Sequence, residues 1–503
     1  MIIFNVIIIG GGHAGIEACL SSSKICNKIK LISSNLDNLG ILSCNPSIGG
    51  IGKSHLIKEL EILGGIISEV SDYSRIHSKI LNFKKGESIH SLRYQIDRIL
   101  YKNYILKILF IKKNIILEQN DVKNILRFKN KILLIDNFNC INISKNIILC
   151  AGTFINSKIC IGKNVFKFGR YNEKTFYLSK SLKKINLFIS KLKTGTPPRI
   201  DINHINYKKL LIQYSDYTSY FGKNFNFNNN IKCFITNTNL KLHNFIKKKF
   251  KSTSIYIGNI SSIGPRYCPS IEDKIYKFSN TNKHQIFLEP EGYYSKEIYL
   301  NGLSTSLSLK NQKKMINKIK GLEKSIIIRF AYNIQYDYFD PRCLYITLNI
   351  KFANNIFFSG QINGTTGYEE AAVQGFVSGI NASRKSINLS LWKPKKWNSY
   401  IGVLINDLIK NGAQEPYRIF TSKSNFRLFL RMDNSLYRLT NLAFLLGTIT
   451  KFKFKYNSNY IYITYNNLFN FFNINLKRNF NIYKNIIIMS KYYGYIKKYL
   501  FKF

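Results

Sequence analysis

The fold is decided by residues 6 to 18, VIIIGGGHAGIEA. Residues 3–9 (IFNVIII), which begin just before this stretch, are apolar except for Asn5 and have the pattern of a buried parallel strand. Gly10, Gly12 and Gly15 follow in G-x-G-x-x-G spacing, and a helical pattern runs on to about Lys24. Residues 28–34 (KIKLISS) indicate a second strand. This strand–glycine turn–helix–strand order predicts the opening of a dinucleotide-binding α/β fold.

The glycines of this loop have defined tasks in such a fold. They permit a tight turn, close approach of a pyrophosphate and helix–strand packing, while the helix N-terminus offers N–H groups and a partial positive charge to phosphate. The acid expected about 20 residues downstream, which would bind a ribose, is missing. Ser33, Ser34 and Asn35 stand there instead. Either Ser or Asn takes that bond, or another segment supplies it.

Two later segments favour FAD over NAD as the dinucleotide. Residues 146–153 (NIILCAGT) read as a buried strand that runs into a turn of small residues. Residues 354–383 predict a strand, a Gly360-Gln361 turn and a helix from about Tyr368, a unit that many FAD proteins place against the flavin. Gln361 replaces the usual acid. The different character of the intervening chain predicts an inserted domain at roughly 200–335. No structure is predicted for the nearly low-complexity residues 450–485.

The composition is strongly basic, with a net charge of +48. Only 15 of the 75 basic residues are Arg, and the abundance of Ile, Lys, Asn, Phe and Tyr indicates A/T-rich codons. Part of the charge therefore reflects codon drift, although the excess would still attract polyanions. The nine Cys show no zinc-type spacing, so no metal site is predicted. No signal peptide or membrane-spanning run is found, which predicts a reduced, cytoplasmic protein.

A second glycine-rich stretch, residues 42–54 (LSCNPSIGGIGKS), ends like a phosphate-binding P-loop. The P-loop pattern needs Gly at position 47, where Ser47 stands, so triphosphate binding is not expected. Cys44 lies in this turn, where the loop after the second strand of a dinucleotide fold would pass over the cofactor. A buried packing role for Cys44 remains the alternative.

A second loop thiol, Cys268, follows Arg266 and precedes Pro269 in the stretch SSIGPRYCPSIEDK (261–274). A neighbouring guanidinium would favour the reactive thiolate. Glu272 and Asp273 are possible acid–base groups, and a surface ion pair with Lys274 is the alternative reading.

The chain resembles a known family over residues 3 to about 440. The resemblance rests on the long motifs VIIIGGGHAGIEA, SCNPSIGGIGK, KTGTPPRI (193–200), GPRYCPSIEDK (264–274), HQIFLEPEG (284–292), YDYFDPR (336–342), GQINGTTGYEEAA (360–372) and EPYRIFTS (415–422). Together they are similar to the MnmG/GidA family of tRNA uridine 5-carboxymethylaminomethyl modification enzymes. The resemblance implies an α/β fold: a Rossmann-type FAD-binding domain (1–200 and 336–395), an inserted α/β domain (201–335) and a shortened, mainly helical C-terminal region (396–503).

What the family does is then expected of this chain. It uses FAD and NADH, takes a one-carbon unit from methylene-tetrahydrofolate, and adds an aminomethyl-type group to carbon 5 of the wobble uridine in tRNA. It acts as a homodimer with a GTPase partner of MnmE type, without a membrane. The family's C-terminal helical domain, which is associated with docking the GTPase, continues beyond the end of this chain, so that partnership is in question.

The site residues follow from the same resemblance. It implies FAD contacts at Gly10, Gly11, Gly12, His13, Ala14 and Gly15, with further contacts at Val122, Thr175 and Gln361. The nicotinamide region is implied at 264–278, with Gly264, Pro265, Arg266, Tyr267 and Asp273 as contacts. Cys44 and Cys268 match the two functional cysteines. One thiolate would add to carbon 6 of uracil and a separate base would remove the carbon-5 proton, with the assignment left open.

Four arginines, Arg418, Arg427, Arg431 and Arg438, cluster within 21 residues. Arg427 and Arg431 would share a helix face by their i,i+4 spacing. Guanidinium forks suit tRNA phosphates. The alternative is a set of internal ion pairs with Glu415, Asp407 and Asp433.

Two other functions remain open at this level. One is a folate- and FAD-dependent tRNA uracil-5-methyltransferase, against which the two Cys motifs argue. The other is a non-catalytic RNA-binding flavoprotein, which retention of both thiols weakens. Nucleoside analysis of tRNA would distinguish all three.

Overall fold

The computed structural model describes residues 2–469 except for 171–172, 175–177, 179–180, 183–186, 217–220, 223–224, 226–230, 251–252, 254–263 and 265–268, and adds Ile488, Lys491 and Tyr492. Within these residues the strands are β1 Ile3–Ile9, β2 Ile29–Ser33, β3 Ser47–Gly49, β4 Arg75–Leu81, β5 Ser91–Ile96, β6 Ile115–Gln119, β7 Val122–Phe128, β8 Lys131–Asp136, β9 Ile141–Leu149, β10 Lys158–Ile161, β11 Asn164–Phe166, β12 Phe168–Arg170, β13 Glu173–Lys174, β14 Ile189–Thr196, β15 Arg199–Asp201, β16 Leu211–Gln213, β17 Cys233–Asn237, β18 Gln285–Pro290, β19 Glu297–Asn301, β20 Ile327–Arg329, β21 Tyr332–Phe339, β22 Asn349–Ile350 and β23 Ala353–Phe358. The helices are α1 His13–Ser22, α2 Lys53–Ile62, α3 Ile67–Ser74, α4 Arg98–Ile111, α5 Leu240–Lys249, α6 Ile271–Lys277, α7 Leu309–Ile316, α8 Tyr368–Ser386, α9 Tyr400–Asn411, α10 Ser435–Leu445 and α11 Lys451–Phe469.

The largest sheet has the strand order β22-β23-β9-β1-β2-β6, with β8 and β7 added through β9. Strands β23, β9, β1, β2 and β6 run parallel. Strand β1 is apolar except for Asn5 and is buried on both faces from Val6 to Ile9, as parallel strands between layers must be. The parallel core and the glycine turn into α1 confirm the predicted α/β class, and the late strand and helix appear as β23 and α8.

Helices α1 and α8 pack tightly together over this sheet. Two glycines of α8 make the approach possible. A Cβ on Gly375 would lie 1.9 Å from the carbonyl oxygen of Ala14, and one on Gly379 would lie 2.5 Å from that of Ala18. The late segment of the chain is thereby held against the N-terminal glycine loop.

A second hydrophobic core lies between Ile200 and Leu322. It is built on a six-stranded antiparallel sheet with the order β16-β17-β18-β19-β15-β20 and on helices α5, α6 and α7. A four-stranded sheet, β11-β10-β21-β14, leads from the first sheet into this region. The predicted domain boundaries themselves stay a prediction.

The C-terminal region contains α9, α10 and α11. Helix α11 covers Lys451–Phe469, within the segment for which the sequence predicted no structure. None of the helices in the described part of the chain combines the length and the hydropathy that crossing a bilayer requires.

Candidate functional site

A cavity of about 450 Å³ lies at the carboxyl ends of β1, β2 and β9. Its lining includes Gly10–Ala14 after β1, Ser33–Asn35 at β2, and Cys150–Phe154 after β9. Open parallel sheets bind ligands at this edge, and the volume is ordinary for a small-molecule site. The glycine loop and the late Gly360-Gln361 turn border the same space, as the sequence predicted.

The glycine loop divides into positions that pack and one that faces the cavity. Gly10 has φ +105°, and a Cβ there would lie 2.4 Å from the carbonyl oxygen of Cys150. A Cβ on Gly15 would lie 1.8 Å from the Gly10 oxygen. At Gly12, by contrast, a Cβ would meet no described atom within 4 Å. The backbone is therefore open to a ligand at Gly12, immediately before the N–H groups of α1, which fits a dinucleotide pyrophosphate.

His13, the first residue of α1, is buried at the cavity wall. Its ring packs against Tyr368, with the centroids 4.6 Å apart, and burial lowers its pKa to about 4. Among the described residues its Nε2 has no hydrogen-bond partner. A neutral, unpartnered imidazole nitrogen beside the cavity is a polar group that a bound cofactor could satisfy.

The acid missing after β2 has a counterpart elsewhere in the cavity lining. Glu173, on β13, lines the cavity and accepts a 3.2 Å hydrogen bond from the Asn38 amide. The Arg170 guanidinium donates two hydrogen bonds to the same carboxylate, at 2.7 and 2.8 Å. Sequence reasoning missed Glu173 because it lies far along the chain from β2. Ser33, Ser34 and Asn35 also line the cavity, so the ribose assignment stays open.

The remaining cofactor predictions have different positions. Gln361 lines the cavity, and its Oε1 would lie 3.7 Å from a Cβ built on Gly152. Val122 is buried at the start of β7, outside the lining residues, and remains a prediction. Thr175 lies outside the described residues.

Cys44 is half-buried and lines the same cavity as the glycine loop. Its backbone N–H donates to the Tyr368 hydroxyl at 2.7 Å. Its Sγ lies 3.3 Å from the Tyr299 hydroxyl and 3.9 Å from the carbonyl oxygen of Gly195. The buried packing role is therefore wrong: the structure holds this thiol at a cavity wall among polar groups. Tyr299 and Tyr368 come from β19 and α8, so chain spacing gave no sign of them.

Two guanidinium groups bind the backbone carbonyl oxygens of the Cys44 loop. Arg98 donates to the carbonyl oxygens of Leu42 and Cys44, and Arg199 also donates to Cys44, at 3.1 Å. Both guanidiniums pair with Glu291, at 2.9 and 3.0 Å. Burial of Arg199 is outweighed by the charge of Glu291, which raises the arginine's pKa. The cysteine turn is therefore fixed in a positively charged setting.

Lys53, from the P-loop-like stretch, forms ion pairs with two buried carboxylates at the start of α8. Its Nζ lies 2.7 Å from Glu369 and 3.5 Å from Glu370. Burial opposes ionisation of Glu369, but Lys53 outweighs it and lowers the carboxyl's pKa. The N–H of Gly49 also donates to Glu369, at 2.7 Å. This arrangement agrees with the prediction that the stretch is not a triphosphate loop.

The predicted nicotinamide region is described only in part. Cys268, Pro265, Arg266 and Tyr267 lie outside the described residues. Pro269 and Lys274 line the cavity, and a Cβ on Gly264 would lie 2.7 Å from Lys193. The Asp273 N–H donates to Ser270 in the cap of α6, at 3.1 Å. The nicotinamide role of this region stays a prediction.

Glu272 was expected to act as an acid–base group or as half of a surface ion pair. It is instead fully buried, accepting hydrogen bonds from Thr305 at 2.6 Å and from the N–H of Ser306 at 3.1 Å. Burial raises its pKa. Lys274 donates to the carbonyl oxygen of Gly302 at 2.8 Å. The surface ion pair is therefore wrong for Glu272, which anchors α6 to the loop before α7.

The arginine cluster divides into surface and interior residues. Arg427 is exposed, and residues 425–429 form turns, so the expected helix face shared with Arg431 is wrong. Arg431 is 1% exposed and pairs with Asp433 at 2.8 Å. Arg438 pairs with buried Glu59 at 3.1 Å. Neither interior guanidinium can present its fork to a phosphate while these pairs hold.

Arg418 has a third kind of position in this cluster. It lines the cavity and donates to Thr366 at 3.1 Å. Of the three acids expected as partners, Asp433 is confirmed, while Asp407 accepts from Tyr417 at 2.7 Å. Arg427 is thus the exposed member of the cluster, and phosphate binding by these arginines stays a prediction.

Comparison with known proteins gives one consistent result. Residues 5–390 match the family model described as glucose inhibited division protein A. The chain is 69% identical over 502 residues to the tRNA uridine 5-carboxymethylaminomethyl modification enzyme MnmG of Carsonella ruddii strain PV, with 100% of both chains covered. It is 47% identical over 458 residues to the protein of that name from Buchnera aphidicola subsp. Cinara cedri, covering 90% of this chain and 72% of the relative.

The solved structures agree with the sequence relatives. GidA of Aquifex aeolicus, in one of its crystal forms, superposes on this chain with a TM-score of 0.92 at 34% identity. The superposition covers 99% of this chain and 88% of the other.

Proposed function

This chain belongs to the glucose inhibited division protein A family, whose members include the MnmG proteins, and on that premise we propose that it is a flavin-dependent tRNA modification enzyme. Its reaction places a carboxymethylaminomethyl-type group on carbon 5 of the wobble uridine. The names of the two MnmG relatives support the reaction class. FAD, NADH, methylene-tetrahydrofolate, a GTPase partner of MnmE type, a homodimer and a cytoplasmic location belong to the proposal.

One observation carries the proposal: the Cys44 thiol and the glycine loop open into a single cavity. The loop would hold a dinucleotide in the same cavity that Cys44 borders. Uracil carbon 5 is a weak nucleophile until a thiolate adds at carbon 6. A thiol and a dinucleotide site in one cavity are the combination that this chemistry needs.

The chain's own residues have separable tasks in this scheme. The N–H groups at the start of α1 would hold the pyrophosphate, with the backbone of Gly12 close enough for contact. The flavin, when bound, would supply the redox chemistry and carry the one-carbon unit. Tyr368 and the two guanidiniums hold the Cys44 backbone, so that the thiol keeps one position relative to the loop. Cys44 then serves as nucleophile or as base.

The proposal is tested by complementation of a bacterium that lacks its own enzyme. The native gene, Cys44→Ser and the control Cys140→Ser are introduced, and wobble nucleosides are measured by mass spectrometry. Cys140 is an exposed thiol in the turn between β8 and β9, so it is a control for cysteine loss as such. We expect the native gene and the control to restore the aminomethyl-type uridine and Cys44→Ser to fail.

Other nucleoside results would contradict the proposal in distinct ways. A plain 5-methyluridine product would indicate the methyltransferase instead. Restoration by Cys44→Ser would remove the thiol from the mechanism. If neither the native gene nor the Cys140→Ser control restores the nucleoside, even with the chain's native GTPase co-expressed, the chain lacks the activity. The RNA-binding flavoprotein is then the better description.

A further inference from the structure

We propose that the Tyr299 hydroxyl is a catalytic hydrogen-bond donor that holds Cys44 in its thiolate form. This inference rests on the proposed function, in which Cys44 acts as a thiolate whether it is nucleophile or base. Tyr299 and Cys44 both line the cavity, and the 3.3 Å separation of hydroxyl and sulfur is within hydrogen-bond range for sulfur. Tyr299 lies on β19 and Cys44 lies in the loop before β3, so the two residues meet only in the fold.

The direction of the hydrogen bond follows from the surroundings of the phenol. Tyr299 is 3% exposed, and burial together with the charge of Cys44 raises its pKa well above the ordinary value. The phenol therefore keeps its proton at neutral pH and can donate it to a sulfur acceptor. The Arg199 guanidinium lies 5.1 Å from the centre of the Tyr299 ring, which fixes the ring by a cation–π contact.

The second neighbour of the Cys44 sulfur, the carbonyl oxygen of Gly195, favours the protonated thiol. The carbonyl oxygen of Gly195, at 3.9 Å, can only accept, so it interacts favourably with the protonated thiol. The Tyr299 hydroxyl, by contrast, can donate to the sulfur, and such a donor interacts favourably with a thiolate. Removal of the hydroxyl alone should therefore shift the balance toward the unreactive thiol, while the ring, its packing and its cation–π contact remain.

The chemical step keeps its atoms and electrons in balance. With Cys44 as the nucleophile, the thiolate lone pair forms the bond to uracil carbon 6, and the carbon 5–carbon 6 π electrons move toward the carbon-4 carbonyl oxygen. Tyr299 keeps its proton throughout and loses only its hydrogen bond to sulfur. When carbon 5 has been substituted and has lost its proton to a base, the sulfur leaves with its electron pair. The phenol then stabilises the released thiolate.

The test is the rate at which iodoacetamide alkylates Cys44 in the purified full-length protein, measured by peptide mass spectrometry from about pH 6 to about pH 10, a range that includes ordinary thiol titration. It requires no tRNA and no turnover, so its outcome is independent of the proposed reaction. In Tyr299→Phe we expect alkylation at pH 7 to slow about tenfold and the pH of half-maximal rate to rise by about one unit, equivalent to about 1.4 kcal/mol. The exposed Cys140 in the same sample should keep its rate.

The matched control is Tyr338→Phe, which removes a buried hydroxyl that donates to the carbonyl oxygen of Ala413 and lies outside the cavity lining. Its pH profile should keep the wild-type midpoint. A Tyr299→Phe profile that coincides with wild type, or an equal shift in both variants, would overturn the assignment. The wild-type chain provides a test that does not depend on folding of a variant: Cys44 should react faster at pH 7 than the more exposed Cys140. A slower Cys44 would also overturn the proposal.

Discussion

Replacing Arg438 by Met should destabilise the protein strongly, because this residue neutralises a carboxylate deep in the C-terminal packing. The Arg438 Nη1 lies 3.1 Å from Glu59 Oε1, and the two side chains are 4% and 1% exposed. Glu59 also accepts from the N–H groups of Tyr400 and Ile401, at 3.0 and 3.1 Å. One carboxylate thus joins α2 to the start of α9 and to α10.

The magnitude follows from what the Arg438→Met substitution would leave behind. Glu59 would keep its two peptide donors but lose the cation, and breaking a buried pair from one side costs about 3–5 kcal/mol. That is a large part of the roughly 5–15 kcal/mol that stabilises an ordinary folded protein. The double variant Glu59→Gln with Arg438→Met should recover part of the loss, because a neutral amide can still accept from Tyr400 or Ile401.

The loss should also depend on pH, with a sign set by Glu59. Burial raises the pKa of Glu59, and Arg438 is the largest influence that opposes this shift. Without Arg438 the folded-state pKa rises further, so protonated Glu59 is tolerated and the ionised form is penalised. A raised folded-state pKa gives stability that is complete below the unfolded-state pKa and is lost as pH rises. Arg438→Met should therefore be less destabilised near pH 5 than near pH 8.

The assay is urea unfolding followed by tryptophan fluorescence and circular dichroism, at both pH values, with Arg427→Ala as the exposed control. The control should stay within about 0.5 kcal/mol of wild type. A loss below about 1 kcal/mol in Arg438→Met would refute the structural role. If Arg438→Met instead lowered tRNA affinity at unchanged stability, Arg438 would be a phosphate-binding residue.

Three further predictions concern the cavity and the surface. Gly12→Ala should change the unfolding free energy by about 1 kcal/mol or less but lower the flavin bound per chain, measured by absorbance, because its Cβ points into the cavity; full flavin content would contradict the pyrophosphate contact. Lys53→Met should cost about 3–5 kcal/mol by leaving Glu369 and Glu370 buried together, measured by urea unfolding, and should leave ATP binding absent as in wild type. Arg427→Ala should reduce the salt slope of tRNA binding by about 1 at unchanged stability; an identical slope would exclude a phosphate contact.

The parts of the fold that the sequence predicted are those with a local periodic signal. The run before Gly10 has a buried-strand pattern, and the glycine spacing predicts a turn into a helix, so β1, α1 and β2 appear where expected. The helix in the low-complexity segment was not predicted, because Asn, Tyr, Phe and Lys there give no periodic contrast. The arginine spacing was misread, since i,i+4 spacing indicates a shared face only if the segment is helical.

In the candidate site, Cys44 and the glycine loop were predictable from the sequence, but the groups that support them were not. Cys44 and the glycines lie within local motifs. Tyr299, Arg98 and Glu291 reach the cysteine loop from distant segments, and no spacing rule connects them to it. Such groups are found only when the topology is known, because they act through contacts between chain segments.

The distribution of charged residues between interior and surface also depends on the fold and cannot be read from composition. At least eleven of the chain's 27 acids are buried in the described residues, against three of the 75 basic residues. Acids are rarely buried unless paired, and here they meet guanidiniums, lysines or peptide N–H groups, as Glu59, Glu291 and Glu369 do. Since the interior holds more negative than positive side chains, the described surface is more positive than composition alone implies. A polyanion such as tRNA would therefore be attracted by many exposed lysines together, and single surface substitutions should each remove only a small part of that attraction.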